Sequence, residues 1–148
     1  MIILVLNCGS SSLKYQVLDM KNESEYSLLA KGLVERIGLE MGEITHRVPE
    51  KDKYIIDKPI PDHTEGIKSV LDLLVDPEQG VLKSLSEINA VGHRVAHGGD
   101  LFNASAVVHS EVIEGIQKCC ELAPLHNPAY SCSILPIVCC SSNVSGLS

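Results

Sequence analysis

The residues between positions 7 and 14 combine the groups that could hold a phosphate. An apolar run at 2–6 precedes them and a second strand-like run at 15–18 follows. This order predicts a buried strand, a tight turn and a second strand. Gly9 lies in the turn, where the lack of a side chain would let backbone N–H groups approach an anion closely.

Side chains around this turn would complete a site for phosphate and its metal. The hydroxyls of Ser10 and Ser12 add donors, and Lys14 adds a mobile positive charge. Asn7 offers an amide oxygen to a hard cation such as Mg²⁺. An ordinary serine-rich β-turn has the same composition, so loop chemistry alone leaves both interpretations open. The segment is not a P-loop, because it lacks a second glycine before the lysine and a helical pattern after it.

A second block, at 92–99, reads Gly-His-Arg-Val-Ala-His-Gly-Gly. Its Arg94 ends a predicted strand, and a planar guanidinium can bind carboxylate or phosphoryl oxygens at two points. A surface salt bridge is the alternative role for such an arginine. His93 and His97 would suggest a metal pair on a helix. Because they bracket a strand end and a Gly-Gly turn, structural hydrogen bonding is the better interpretation.

A third block, at 123–129, reads Ala-Pro-Leu-His-Asn-Pro-Ala and predicts a rigid loop. Taken alone, its His126 is as compatible with loop packing as with a place in an active site.

The elements that must position these blocks follow from the hydrophobic pattern. Consecutive strands suggest a largely antiparallel meander, with segments at 2–6, 14–19, 28–34, 43–48 and 54–56.

After these strands, the spacing of the apolar residues changes from strand-like to helical, which predicts helices. Apolar residues recur at helical spacing: Ile67, Val70, Leu71 and Leu74. Thr64 is the predicted N-cap and Pro77 bounds the far end. A strand at 88–95 and a second helix at 112–120, capped by Ser110, follow. Strands, helix, strand and helix in this order predict an α/β domain.

The overall composition of the chain limits the kinds of partner that it can have. The chain has 148 residues, 45% of them hydrophobic, which suffices for a domain with a core. A formal charge of -7 argues against nucleic acid as a partner and requires an anionic substrate to be held by local cations. The opening apolar run is too short for a signal peptide, and no stretch approaches the ~20 apolar residues of a membrane span. Six cysteines without a C-x-x-C pair then suggest reduced thiols in a cytoplasmic protein.

The three blocks together, in this order and at this spacing, resemble the signatures of the acetate kinase (acetokinase) family over about residues 1–129. The resemblance implies the N-terminal half-domain of the actin-like, sugar-kinase-like ATPase fold, a mixed sheet with flanking helices. It also implies reversible phosphoryl transfer from ATP to acetate, giving ADP and acetyl phosphate, with Mg²⁺. Full-length members are commonly homodimers, whereas the assembly of this chain is left open. A propionate or short-chain carboxylate kinase fragment and a non-catalytic phosphate-binding remnant are the alternatives.

The resemblance also implies roles for individual residues. Arg94 would bind substrate and act in catalysis with His126. Ala96 and Leu125 match the pocket for the substrate methyl group, and the small Ala96 suggests greater tolerance of propionate. Asn7 would help to hold Mg²⁺. The nucleotide phosphates would be held by Gly9, Ser10, Ser12 and Lys14.

The last residues, 130–148, depart from the family pattern. Positions 122–148 contain no Asp, Glu, Lys or Arg, whereas family members continue into a helix and then a strand that bears a catalytic aspartate. This difference suggests a frameshifted or truncated tail, with a divergent apolar strand at 134–140 as the alternative. We therefore expect the 148-residue chain to be inactive alone.

Overall fold

A computed structural model describes residues 1–94 and the single positions 107 and 114. Within residues 1–94, six strands form one sheet in the order β5-β4-β3-β2-β1-β6. Their bounds are β1 (Ile2–Cys8), β2 (Leu13–Met20), β3 (Tyr26–Glu35), β4 (Gly42–Arg47), β5 (Tyr54–Lys58) and β6 (Ile88–Arg94). The helix α1 (His63–Leu74) and a short 3-10 helix, Leu85–Glu87, lie between β5 and β6.

The predicted meander is confirmed. Strands β1 to β5 pair antiparallel with their sequence neighbours, and β6 returns to pair parallel with β1. A parallel neighbour needs a crossover, and α1 supplies it. Of the second predicted helix, at 112–120, the structure describes only Glu114, which is helical. No helix within the described residues is long and apolar enough to cross a membrane.

The alternation of side chains along the strands separates the two faces of the sheet. On β2, Leu13, Tyr15 and Val17 are buried whereas Lys14 and Gln16 are exposed. The buried residues pack in one core with the apolar face of α1, which contributes Ile67, Val70, Leu73 and Leu74. The sheet therefore has one face covered by α1, and Lys14 and Gln16 lie on the opposite face.

The start of α1 differs from the prediction. Asp62, not Thr64, is the N-cap, and its carboxylate accepts a hydrogen bond from the Glu65 N–H at 2.9 Å. Both residue types cap helices well, so the prediction of Thr64 was wrong by two positions. The helix ends at Leu74, before the predicted boundary at Pro77.

A buried polar contact joins the sheet to the segment after α1. The Tyr15 hydroxyl lies 2.6 Å from Nδ1 of His46, and Nε2 of His46 lies 3.1 Å from the Gln79 carbonyl oxygen. Because a carbonyl can only accept, Nε2 carries the proton and Nδ1 accepts from the hydroxyl. Burial lowers the pKa of His46 and raises that of Tyr15, so both groups stay neutral near pH 7.

Candidate phosphate and carboxylate site

Strand register brings three of the predicted site residues into one row. Asn7 pairs with Lys14 on β2 and with Arg94 on β6. Residues paired across neighbouring strands share a face of the sheet, so all three lie on the face opposite α1. Two strand spacings separate Lys14 from Arg94, which is about 10 Å. The predicted phosphate hairpin and the arginine strand are therefore neighbours at one edge of one face.

The turn between β1 and β2 is held by hydrogen bonds from three directions. The Gly9 N–H donates to the Ser12 carbonyl at 2.7 Å, and the Ile37 N–H donates to the Ser11 carbonyl at 3.0 Å. Nε2 of His63, buried at the start of α1, donates to the Gly9 carbonyl at 2.8 Å. These contacts fix the turn against the helix and the loop after β3.

The role predicted for the Gly9 backbone changes in detail. The Gly9 N–H already donates to the Ser12 carbonyl within the turn. The donors that remain for an anion are the N–H and hydroxyl groups of the serines. Within residues 1–94, Ser10 and Ser12 donate no hydrogen bond from N–H or hydroxyl. A Cβ at Gly9 would lie 2.9 Å from Oγ of Ser12, so the absence of a side chain leaves room for that serine.

A second contact ties the two motif strands together on the helix side. Nδ1 of His93 donates to the Arg94 carbonyl at 2.9 Å, which leaves Nε2 to accept from the Cys8 thiol at 3.5 Å. Burial is the main cause that lowers the pKa of His93, so the ring is neutral near pH 7. This geometry agrees with the structural role expected for His93, and it holds β6 beside the residue that precedes Gly9.

An open groove of about 560 Å³ runs across the face opposite α1. Asn7 and Lys14 line one part of it. Five further charged residues on β3, β4 and the loop before β5 line the remainder: Lys31, Glu35, Glu43, Arg47 and Lys53. The row of site residues therefore opens onto a larger polar depression.

The other predicted site residues lie outside the described residues. They are Ala96, Leu125 and His126, and the second histidine of the block, His97, lies there as well. Among the residues that the structure describes, no group of three His, Cys, Asp or Glu side chains could hold a metal. A metal at this row would therefore depend on Asn7, water and bound phosphate for its ligands.

Sequence reasoning missed residues that support the site from the helix side. His63 gave no signal, because its contact with the Gly9 turn joins residues far apart in the chain. Tyr15 was assigned only to a strand, although its ring passes over Gly32 to reach His46. Neither contact has a local pattern from which it could have been predicted.

Two acetate kinases are similar in sequence to this chain. The acetate kinase of Desulfitobacterium hafniense (strain DSM 10664 / DCB-2) is 58% identical over 126 residues, covering 85% of this chain and 31% of the relative. The acetate kinase of Thermoanaerobacter pseudethanolicus is 56% identical over 127 residues, again 31% of its length. The chain thus spans about a third of the length of these curated relatives.

Solved structures give the same result. The crystal structure of Porphyromonas gingivalis acetate kinase matches 98% of this chain and 35% of its own, with a TM-score of 0.86 and 40% identity. A propionate kinase from Francisella tularensis gives a TM-score of 0.78 at 33% identity, covering 99% of this chain and 35% of its own. The mixed sheet and these neighbours define the described part as half of an ATPase-like α/β fold, as predicted.

Within that class, the family model of the acetokinase family matches residues 2–144. The chain belongs to the acetokinase family. The predicted division at residue 129, with an aberrant tail at 130–148, lies outside the described residues and stays a prediction.

Proposed function

We propose that the protein represented by this chain transfers a phosphoryl group reversibly between ATP and acetate, forming ADP and acetyl phosphate. The row of Arg94, Asn7 and Lys14 beside the serine turn carries this proposal. It gathers two cations and an amide on one face of a chain whose formal charge is -7. Two negatively charged reactants need such local cations, because the overall field of the protein repels them.

The side chains have distinct roles in this proposal. The Arg94 guanidinium binds carboxylate and phosphoryl oxygens at two points, which aligns the attacking oxygen with phosphorus. Lys14 and the donors of Ser10 and Ser12 offset charge on the nucleotide phosphates. A carboxylate oxygen forms the new bond to the γ-phosphorus while the bond to the β,γ-bridging oxygen breaks, and ADP leaves with that electron pair.

Of the three residues in this row, only Asn7 has a side-chain oxygen that could bind Mg²⁺. Mg²⁺ keeps several water ligands and is bound by one or two protein oxygens together with substrate phosphates, so a single amide oxygen is sufficient. When bound, the ion would neutralise charge on the phosphates. The remaining proposals for the full-length protein are a cytoplasmic location and a homodimeric state.

The 148-residue chain by itself is proposed to be inactive. It matches 31% of the length of the curated relatives, so most of an acetate kinase has no counterpart in it. Activity is therefore best tested in a chimaera in which this chain's matched segment replaces that of the Desulfitobacterium hafniense enzyme.

The decisive substitution in the chimaera is Arg94→Lys. Lysine keeps the charge but loses two-point binding, which is worth about 1.5–3 kcal/mol and corresponds to roughly 10- to 100-fold in kcat/KM for acetate. The change in kcat/KM is measured by trapping acetyl phosphate as the hydroxamate. The same assay is run in parallel with propionate in place of acetate.

Arg36→Lys is the matched control. Arg36 is an exposed arginine whose guanidinium lies 3.6 Å from Asp57 and 3.9 Å from Glu43, and we expect its replacement to change kcat/KM less than about twofold, as for other surface pairs. A loss of less than about threefold for Arg94→Lys would contradict the assigned role. An inactive unsubstituted chimaera, or acetyl phosphate formed by the isolated chain, would contradict the proposal for this segment.

A further inference from the structure

One end of the groove concentrates positive charge that the proposed reaction does not use. Lys31 on β3 pairs directly with Arg47 on β4, so two cationic side chains stand opposite each other on the same face. Lys53, just before β5, lines the same end of the groove. We call Lys31, Arg47 and Lys53 the basic end.

The basic end is uncompensated within residues 1–94. None of its three side chains takes part in an ion pair or hydrogen bond with these residues, and all three are exposed. Like charges directly opposite each other on neighbouring strands destabilise a sheet. An acidic chain that keeps such a pair in a concave surface is suited to bind a counter-charge there.

The opposite end of the same groove is acidic. Glu35 pairs with Glu43, four residues away from the Lys31–Arg47 pair on each strand, which is a separation of about 13 Å. Glu43 lies 3.9 Å from the exposed Arg36 guanidinium, whereas Glu35 has no ion-pair partner within residues 1–94. An extended acidic peptide that ran along the groove would meet these carboxylates and be repelled. A compact anion can remain at the basic end, so the groove favours a small multivalent ligand.

We propose that the basic end binds a polyphosphate group, such as a triphosphate, at a site beside the Arg94 row: Lys31 lies one strand over and two residues along from Lys14, on the same face of the sheet. The Cβ atoms of a directly opposed pair lie about 5 Å apart, so Lys31 and Arg47 can each contact a different phosphoryl group. Arginine supplies two-point binding and the lysines supply mobile charges. The inference rests on charge and register alone and does not depend on the proposed acetate kinase activity.

Titration calorimetry of the full 148-residue chain with inorganic triphosphate tests this site. We expect Lys31→Gln/Arg47→Gln to weaken triphosphate binding at least tenfold. The matched control, Lys68→Gln/Lys83→Gln, removes the same charge at exposed positions of α1 and of the segment before β6. It should change the affinity less than about twofold, at equal ionic strength.

Folding is checked independently by thermal unfolding. Because the substitution removes a repulsive pair, the unliganded double variant should melt at the same temperature or higher. Triphosphate should raise its melting temperature less than that of the native chain, since any binding at Lys14 and the serine turn is retained. If the double variant does not fold, Lys53→Gln, which lies outside the strands, must weaken binding about threefold. The proposal is overturned if the native chain does not bind triphosphate, if the control variant loses as much affinity, or if a poly-glutamate peptide binds more tightly than triphosphate.

Discussion

Tyr15 is the residue on which the centre of the sheet depends. Its ring is 1% exposed and lies over Gly32 on the neighbouring strand, with its hydroxyl bound to His46. A Cβ built on Gly32 would overlap the Tyr15 ring. The ring cannot move aside without breaking its hydrogen bond, so a side chain at position 32 would strain the core.

Gly32→Ala is therefore expected to lower the free energy of unfolding by about 1–3 kcal/mol, as overpacking of a filled core does. Urea unfolding followed by circular dichroism measures the change. Gly92→Ala is the matched control, because within residues 1–94 the atom nearest to its Cβ would be Cγ2 of Val5, at 4.0 Å. Equal effects of the two substitutions would show that the Tyr15 ring is not fixed.

At the scale of the element, α1 both covers the sheet and anchors the turn at Gly9. Its apolar face packs on the strands, and its first residue, His63, bonds the Gly9 carbonyl. The cap at Asp62 therefore sets where the helix begins and where His63 stands. A change at this cap would act on stability and on the turn together.

Asp62→Ala should cost about 1 kcal/mol in the free energy of unfolding, because the Glu65 N–H loses its acceptor. Thermal unfolding at neutral pH is a suitable measurement. Thr64→Ala, at the exposed position that sequence reasoning chose as the cap, should change stability by less than about 0.5 kcal/mol. A larger loss for Thr64→Ala than for Asp62→Ala would reverse the assignment of the cap.

At the scale of the whole molecule, buried neutral histidines make stability depend on pH. His46 and His93 both have a lowered pKa in the folded state, mainly through burial. Above about pH 6.5 the rings are neutral in folded and unfolded chains alike. As pH falls below that value the unfolded chain binds protons that the folded chain does not, so stability decreases.

We expect the free energy of unfolding to fall between pH 7 and 5, with a slope of up to about 1.4 kcal/mol per pH unit for each histidine. His46→Gln should reduce the slope, as measured by urea unfolding at several pH values. Asp76→Asn is the matched variant that should keep the slope, because burial lowers the pKa of His46 and loss of the Asp76 carboxylate removes a charge that raises it. The N–H groups of Gln79 and then Glu78 lower the pKa of Asp76, so its contribution is lost only below about pH 3.9. A flat profile between pH 7 and 5 would contradict the buried neutral state of His46.

The amino-acid sequence alone determined the elements and the family. Alternating burial on β2 and helical spacing on α1 are local patterns, and they predicted the meander, the helix and the fold class. The blocks at 7–14 and 92–99 predicted the family, which the comparisons confirm. Local patterns failed at the helix cap, where Asp62 and Thr64 are chemically equivalent choices.

Only the tertiary structure decided which residues stand together. The parallel register of β1 and β6 places Arg94 beside Asn7, and the antiparallel register of β3 and β4 places Lys31 opposite Arg47. The contact between His63 and the Gly9 carbonyl likewise joins segments that are distant in the sequence. Periodicity records which side of a strand or helix a residue occupies, whereas pairing between distant segments depends on how the buried faces of the sheet and α1 fit together. That fit is a property of the packed core, which no short stretch of the sequence contains.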